Sequence, residues 1–152
     1  MIEIALYQPD IAPNAATIIR LAACLGLKVR IIEPAGFVWS GPGFRRAGMD
    51  YLELAEVARD ASWAAFEAAT TGQRRILLTT KAAESYTGFS FAAGDILLLG
   101  RESAGVPDAV HQAVEARIVI PMRRGLRSLN VALAAAMVAG EALRQLGGFS
   151  QT

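Results

Sequence analysis

Three segments of this 152-residue chain set polar residues into apolar surroundings, where side chains that bind or react are often found. The first places Arg20 on a helix otherwise built of Ile, Leu and Ala, and a guanidinium suits phosphate because its planar fork donates two hydrogen bonds at once. The second places Glu102 in a glycine-bearing turn, and the third places Ser128 and Asn130 before an alanine-rich helix. Taken singly, each also fits a structural role, such as a surface ion pair for Arg20 or an N-cap for Ser128. The segments are Asn14–Arg20, Leu97–Pro107 and Ile120–Val131.

The familiar nucleotide-binding fingerprints are missing from these segments. Gly100 and Gly105 have the spacing of a phosphate-binding loop, but Val106 and Pro107 stand where Lys and Ser or Thr are required. A plain nucleotide-binding protein is therefore disfavoured. Because the chain has one cysteine and one histidine, a cysteine-based zinc site is excluded and no metal is expected.

The elements that must position these residues are short apolar strands alternating with helical patterns. Runs of Ile, Val and Leu that are apolar on both faces are typical of a parallel sheet covered on both sides. Such a sheet places its ligand at the carboxyl ends of the strands, where the polar segments lie. The predicted strands are Ile2–Tyr7, Val29–Glu33, Ile76–Thr80, Ile96–Gly100 and Arg117–Ile120, with Leu52–Val57 as a weaker candidate.

Helical periodicity and capping residues predict four helices between the strands. Asn14 is expected to cap a helix over Ala15–Leu25, and Ser62 to cap the next. A short helix is predicted after Pro107 and a long one over Leu129–Leu146. The fold class predicted is α/β, a mostly parallel sheet with helices on both faces, in one domain over residues 1–152.

Charge and hydropathy restrict where the protein works and how it meets a partner. The net charge of +1 gives no global basic field, so any contact with RNA must come from a local patch. The longest apolar stretch, Leu129–Ala139, is too short to span a bilayer of about 30 Å. Glu3 interrupts the first apolar run, which is unlike a signal peptide. We therefore expect a cytoplasmic protein with no membrane partner.

In their order and spacing, the three polar segments resemble the motifs of the SPOUT-class RNA methyltransferases. The match is best to the TrmL/YibK family of tRNA (cytidine/uridine-34-2′-O)-methyltransferases and covers nearly the whole chain. The Arg45–Tyr51 segment favours this family over its ribosomal RNA relatives. Further matching segments are Leu6–Pro9, Ile32–Phe37, Leu78–Lys81 and Glu141–Gly147.

The resemblance implies a C-terminal trefoil knot that binds S-adenosyl-L-methionine in a bent shape. It also implies a homodimer in which Arg20 of one subunit works beside the cofactor of the other. The cofactor-binding residues it implies are Leu78, Gly100, Ile120, Met122 and Ser128.

The implied reaction is methylation of the ribose 2′-hydroxyl of the wobble nucleotide, in the anticodon stem-loop of leucine tRNAs. Arg20 would clamp a phosphate and stabilise the forming alkoxide, since arginine keeps its charge near neutral pH. Asn14, Ser128 and Asn130 would orient the ribose and the knot loop, and Glu102 would hold neighbouring backbone or basic side chains. The local basic surface expected to hold the RNA consists of Arg45, Arg46, Lys81, Arg123, Arg124 and Arg127.

Three positions depart from the family pattern, and two other functions remain open. Arg101 stands where relatives usually have Pro, Ala132 near a usual Ser or related polar residue, and Gly140 where Tyr is usual. Arg101 fits either an RNA phosphate contact or a solvent-exposed side chain. The alternatives are a 2′-O-methyltransferase for another tRNA position or ribosomal RNA, and a degenerate module that binds RNA without catalysis.

Overall fold

The computed structural model describes residues 1–39, 42–126 and 129–150, and within them six strands form one sheet. The strands lie in the order β3-β2-β1-β5-β4-β6, and every neighbouring pair is parallel. The predicted parallel sheet is therefore confirmed. The strands are β1 (Glu3–Tyr7), β2 (Lys28–Ile32), β3 (Glu56–Asp60), β4 (Arg75–Leu78), β5 (Ile96–Leu99) and β6 (Ala116–Ile118).

Helices cover both faces of this sheet, as predicted. Alternate strand residues point to opposite faces, so Leu6 packs with the core beneath α1 and α5, while Tyr7 packs with the core beneath α3 and α4. Within the described residues, no helix has the length and apolar character needed to cross a bilayer. The helices are α1 (Ala12–Leu25), α2 (Pro42–Gly48), a short 3-10 helix (Met49–Leu52), α3 (Trp63–Ala69), α4 (Asp108–Ala113) and α5 (Val131–Leu146).

The start of α1 differs from the prediction. The helix begins at Ala12, three residues earlier than predicted, and its N-cap is Ile11, which makes no side-chain capping bond. Pro13 lies in the first turn, where its fixed φ suits a helix and its missing N–H is not needed. Asn14 is therefore inside the helix and does not cap it, which leaves its side chain for another partner.

The candidate strand Leu52–Val57 was also misplaced. The backbone carbonyl of Tyr51 accepts hydrogen bonds from the amides of Leu54 and Ala55, both at 3.1 Å, so the chain turns here and β3 begins only at Glu56. The short helix α2 before this turn was not predicted.

The predictions for the other three helices agree with the structure except at the start of α5. Ser62 caps α3 as predicted, since its hydroxyl accepts from the amide of Ala65 at 3.0 Å. Helix α5 begins at Val131, two residues after the predicted start, because Asn130 is its N-cap. The short helix predicted after Pro107 is α4.

Candidate functional site

A cavity of about 570 Å³ lies at the carboxyl ends of β4, β5 and β6 and is closed by the first turns of α1 and α5. This volume is in the range of sites that hold a small molecule or cofactor. Four predicted cofactor contacts line it, namely Leu78, Gly100, Ile120 and Met122, and Ser128 lies outside the described residues. Of the predicted catalytic residues, the cavity brings together Asn14, Glu102 and Asn130.

One wall of the cavity is a tight loop between Gly100 and Gly105. The two backbone bonds between Arg101 and Gly105 are 3.0 and 2.9 Å long. A Cβ atom added to Gly100 would lie 2.9 Å from the Cα of Gly105, which is closer than real Cβ contacts. Glycine at position 100 therefore allows the two ends of the loop to meet and brings backbone to the cavity surface.

A pair of asparagines joins the first turns of α1 and α5 beside the cavity. Asn130 uses its Oδ1 to accept from the amides of Ala132 (2.8 Å) and Leu133 (3.3 Å), so its Nδ2 must face the other way. That Nδ2 donates to Oδ1 of Asn14 at 3.0 Å. The capping bond thus fixes both amide orientations and leaves Asn14 with its Nδ2 as a hydrogen-bond donor at the cavity wall.

Two carboxyl groups meet where the loop after β1 contacts the loop after β5. The amide of Asp10 donates to Oε2 of Glu102 at 3.4 Å, and the Ser103 hydroxyl donates to the Asp10 carboxylate. Burial raises the pKa of Glu102, and its hydrogen bond with the Asp10 carboxyl raises it further. The same bond is the largest cause that lowers the pKa of Asp10. Of the two carboxyl groups, Glu102 is therefore the one whose protonated form the fold favours, and Asp10 the one whose charged form it favours.

Arg20 lies away from this cavity. Its side chain is exposed on α1, and its guanidinium carbon is 4.9 Å from the centroid of the Tyr51 ring. Asn14 and Arg20 are six residues apart, which at about 100° a residue places them on different sides of the helix. The cavity and Arg20 are thus separate features of one chain.

Arg101, which departs from the family pattern, is held against the loop that carries it. Its Nε donates to the carbonyl of Gly105 at 3.2 Å, and its guanidinium carbon lies 5.5 Å from the centroid of the Tyr7 ring. The side chain is partly buried. It therefore braces the 100–105 loop, a role that neither sequence interpretation anticipated.

The predicted basic residues fall into two groups. Arg45 and Arg46 are exposed in the last turn of α2. Lys81 lines the cavity after β4, and Arg123 and Arg124 are exposed after the neighbouring strand β6. Arg127 lies outside the described residues.

Two residues of this region were missed from the sequence. Asp10 gave no signal, because its partner Glu102 is 92 residues away in the chain. Tyr51 was noted only as part of a matching segment. In the described part of the chain, no group of three or more His, Cys, Asp or Glu side chains is placed to hold a metal ion.

Sequence comparisons match this chain to RNA methylases. Residues 1–140 match the model of the SpoU rRNA Methylase family. A tRNA (cytidine(34)-2′-O)-methyltransferase from Ancylobacter novellus is 58% identical over 99% of this chain and 97% of its own length.

Solved structures agree with the sequence comparisons. One, described as giving structural insights into the 2-OH methylation of C/U34 on tRNA, has a TM-score of 0.93 and 40% identity, and covers 97% of each chain. The SpoU methyltransferase AviRb from Streptomyces viridochromogenes, in complex with the cofactor AdoMet, has a TM-score of 0.83 and 26% identity over 95% of this chain and 60% of its own.

Proposed function

The chain belongs to the SpoU rRNA methylase family, and from this we propose that it transfers a methyl group from S-adenosyl-L-methionine to the ribose 2′-hydroxyl of nucleotide 34, the wobble cytidine or uridine of tRNA. The observation that carries the proposal is the 58% identity, over nearly the full length of both chains, to a tRNA (cytidine(34)-2′-O)-methyltransferase. Residues 1–152 would form one SPOUT methyltransferase domain, working in the cytoplasm. The trefoil knot remains an expectation from the family.

The cavity fits the cofactor in size and in chemistry. Apolar walls from Leu78, Ile120 and Met122 suit a flat adenine ring, and the backbone exposed at Gly100 suits polar groups of a nucleoside. Ser128 completes the proposed set from outside the described residues. When bound, S-adenosylmethionine would supply a methyl group on a positively charged sulfur: an oxygen–carbon bond to the ribose would form, the sulfur–carbon bond would break to release S-adenosylhomocysteine, and the 2′ proton would leave.

The residues of the chain then have to position the ribose and stabilise charge. Asn14, with its Nδ2 turned away from Asn130, can donate a hydrogen bond to a ribose oxygen. Arg20 would bind a phosphate next to the target and stabilise the forming alkoxide, and the proton would pass to a phosphate oxygen or water. Positioning of this kind contributes on the order of 7–11 kcal/mol in favourable cases.

The separation of Arg20 from its own cavity supports a homodimer. If Arg20 acts on the reaction, it must reach a cavity other than the one in its own chain. Exposed apolar side chains on α5 support the same assembly, since Leu133 and Met137 are 61% and 42% exposed and lie one turn apart. Leu129 and Ile11 are also exposed, and both line the cavity beside the start of α5. We therefore place a second copy against α5, with Arg20 serving the partner's cavity.

The proposed RNA partner is the anticodon stem-loop, because single-stranded loops expose the ribose edges that A-form stems hide. The exposed arginines Arg45, Arg46, Arg123 and Arg124 would contact phosphates, with Lys81 at the cavity and Arg127 outside the described residues. In the resembling family the substrates are leucine isoacceptors, and we extend this to the present chain.

Two measurements test the proposal. S-adenosylhomocysteine, the product form of the cofactor, should bind the purified protein in calorimetry and raise its melting temperature. Labelled methyl groups should then pass from S-adenosylmethionine to unmodified tRNA. The control is the same tRNA carrying a 2′-O-methyl group at nucleotide 34, which should accept no label. Equal labelling of both RNAs would contradict the proposed site, and absence of binding would contradict the enzyme itself.

A further inference from the structure

The ring of Tyr51 lies against the guanidinium of Arg20, with 4.9 Å from the guanidinium carbon to the ring centroid. A cation over the face of an aromatic ring within about 6 Å is attracted by the ring's electron density. Neither residue lines the cavity, and the proposed reaction gives Tyr51 no part.

The backbone holds the Tyr51 ring in place. Tyr51 belongs to the 3-10 helix Met49–Leu52, and its carbonyl accepts two hydrogen bonds, from Leu54 and Ala55, both at 3.1 Å. The next residue, Leu52, packs against the main core. The ring thus rests on a segment fixed at two points, whereas Arg20 is exposed and has a long, flexible side chain.

A contact with an aromatic ring and hydrogen bonds use different parts of a guanidinium, because its N–H groups lie in its plane and at its edge. The ring of Tyr51 therefore limits the conformations of the Arg20 side chain without itself occupying one of its N–H donors. A side chain ordered before the RNA arrives loses less conformational freedom when it binds.

We propose that Tyr51 is a positioning residue, which holds the guanidinium of Arg20 in the orientation that the methyl transfer requires. This inference rests on the proposed function and on the role of Arg20 within it. It also gives the Arg45–Tyr51 segment two tasks, because Arg45 and Arg46 are exposed on the helix that leads into the tyrosine.

The first experiment compares Tyr51→Leu with Tyr51→Phe in steady-state methyl transfer to tRNA. Removing the ring should lower kcat/KM about tenfold, the upper part of the range for a cation–ring contact, while the phenylalanine variant keeps at least half of the wild-type value. Binding of S-adenosylhomocysteine should be unchanged in both, since Tyr51 does not line the cavity of its own chain and acts on the reaction only through Arg20. Equal activity of the leucine variant and the wild type would overturn the inference.

A matched control removes a ring from a different pair. The centroid of the Phe89 ring lies 5.0 Å from the guanidinium carbon of Arg74, and neither residue lines the cavity. Phe89→Leu should lower the melting temperature and leave kcat/KM within about twofold of the wild type at a temperature where it is folded. If Phe89→Leu lowers kcat/KM as much as Tyr51→Leu, the effect at position 51 is one of general stability and the proposal fails.

A second series keeps the shape of the ring and changes only its charge distribution. Tyr51 is replaced by phenylalanine or by phenylalanine analogues that carry one to four ring fluorines. Each added fluorine weakens the attraction of the ring for a cation. The proposal expects kcat/KM to fall stepwise with fluorine number, and a flat series would overturn it even if Tyr51→Leu does not fold. Absence of methyl transfer by the wild type would instead contradict the proposed function.

Discussion

The Nδ2 of Asn130 donates to the Oδ1 of Asn14 across 3.0 Å, although 116 residues separate them in the chain. Because the Oδ1 of Asn130 caps α5 at the same time, one side chain both starts the last helix and ties it to the first. Both asparagines line the cavity, so the position of this wall depends on the bond between their amides.

The junction should behave as a coupled pair in unfolding experiments. Asn130→Ala removes the cap and the cross-link and should cost about 2 kcal/mol of unfolding free energy, whereas Asn14→Ala should cost about 1 kcal/mol. Urea denaturation of both single variants and the double variant gives their coupling. The double variant should lose less than the sum, because either single change already breaks the shared bond.

A serine at position 130 separates the two tasks of this residue. Asn130→Ser retains a capping oxygen but is too short to reach Asn14, so it should cost about 1 kcal/mol and should show little coupling to Asn14→Ala. Strict additivity of Asn130→Ala with Asn14→Ala would mean that the bond between the two asparagines contributes nothing.

The tight approach at Gly100 predicts a sharp effect on cofactor binding. Gly100→Ala places a Cβ 2.9 Å from the backbone of Gly105, so the loop must open at a cost of about 1–3 kcal/mol. Calorimetry should show that the Kd for S-adenosylhomocysteine rises about 10- to 100-fold.

The control for that loop is a second glycine, in the middle of α5. A Cβ on Gly140 meets nothing within 4 Å, so Gly140→Ala should raise the unfolding free energy by about 1 kcal/mol and leave cofactor binding unchanged. Wild-type affinity in Gly100→Ala would contradict the account of the cavity wall.

The carboxyl pair predicts two opposite dependences on pH. Since the pKa of Glu102 is raised on folding, the protonated group stabilises the fold at low pH, and this contribution is lost as the pH rises through the raised pKa. Glu102→Gln stays neutral, so its melting temperature relative to the wild type should increase as the pH rises from about 4 to about 7.

The partner variant should show the reverse trend. The pKa of Asp10 is lowered, so its charged form stabilises the fold above the ordinary aspartate pKa, and that contribution is lost as the pH falls. Asp10→Asn should therefore lose melting temperature relative to the wild type as the pH rises. Parallel curves for the wild type and both variants would show that folding shifts the pKa of neither carboxyl group.

The apolar stripe on α5 predicts the consequence of charging it. Leu133→Lys places a cation at a proposed interface to which both subunits contribute this residue. The dissociation constant of the dimer should therefore rise by roughly a thousandfold, and the variant should sediment as a monomer. Leu54→Lys is the matched control, because Leu54 is 75% exposed on the short connection before β3. Dimers of equal stability in both variants would remove α5 from the interface.

The sequence predicted the sheet well because strands such as Ile96–Leu99 are apolar on both faces. A segment of this kind is buried on both sides, which places it inside a sheet that helices cover on both faces. Leu78, Gly100, Ile120 and Met122 were expected as cofactor contacts from the resemblance to the family, and they line one cavity because parallel strands end at a common edge. The prediction that Asn14 caps α1 is wrong. Capping was predicted from neighbouring residues in the sequence, whereas the Asn14 side chain bonds to Asn130, the N-cap of the last helix.

Other features depended on contacts that no local pattern records. The opposite pKa shifts of Asp10 and Glu102 arise only because two distant loops meet. Tyr51 was assigned to a matching segment, but its contact with Arg20 follows from the turn after α2, where Leu52–Val57 had been predicted as a strand.

The central claim is that this chain methylates one ribose, and the most direct measurement maps the methyl group on reacted tRNA. A 2′-O-methyl group blocks alkaline and nuclease cleavage at its own 3′ phosphate, so the modified nucleotide remains in a resistant dinucleotide. Mass spectrometry of leucine tRNA transcripts, incubated with the protein and S-adenosylmethionine, should find one such dinucleotide beginning at nucleotide 34, and Arg20→Ala should yield none. A methyl group on a base nitrogen, or on the ribose of another nucleotide, would contradict the account.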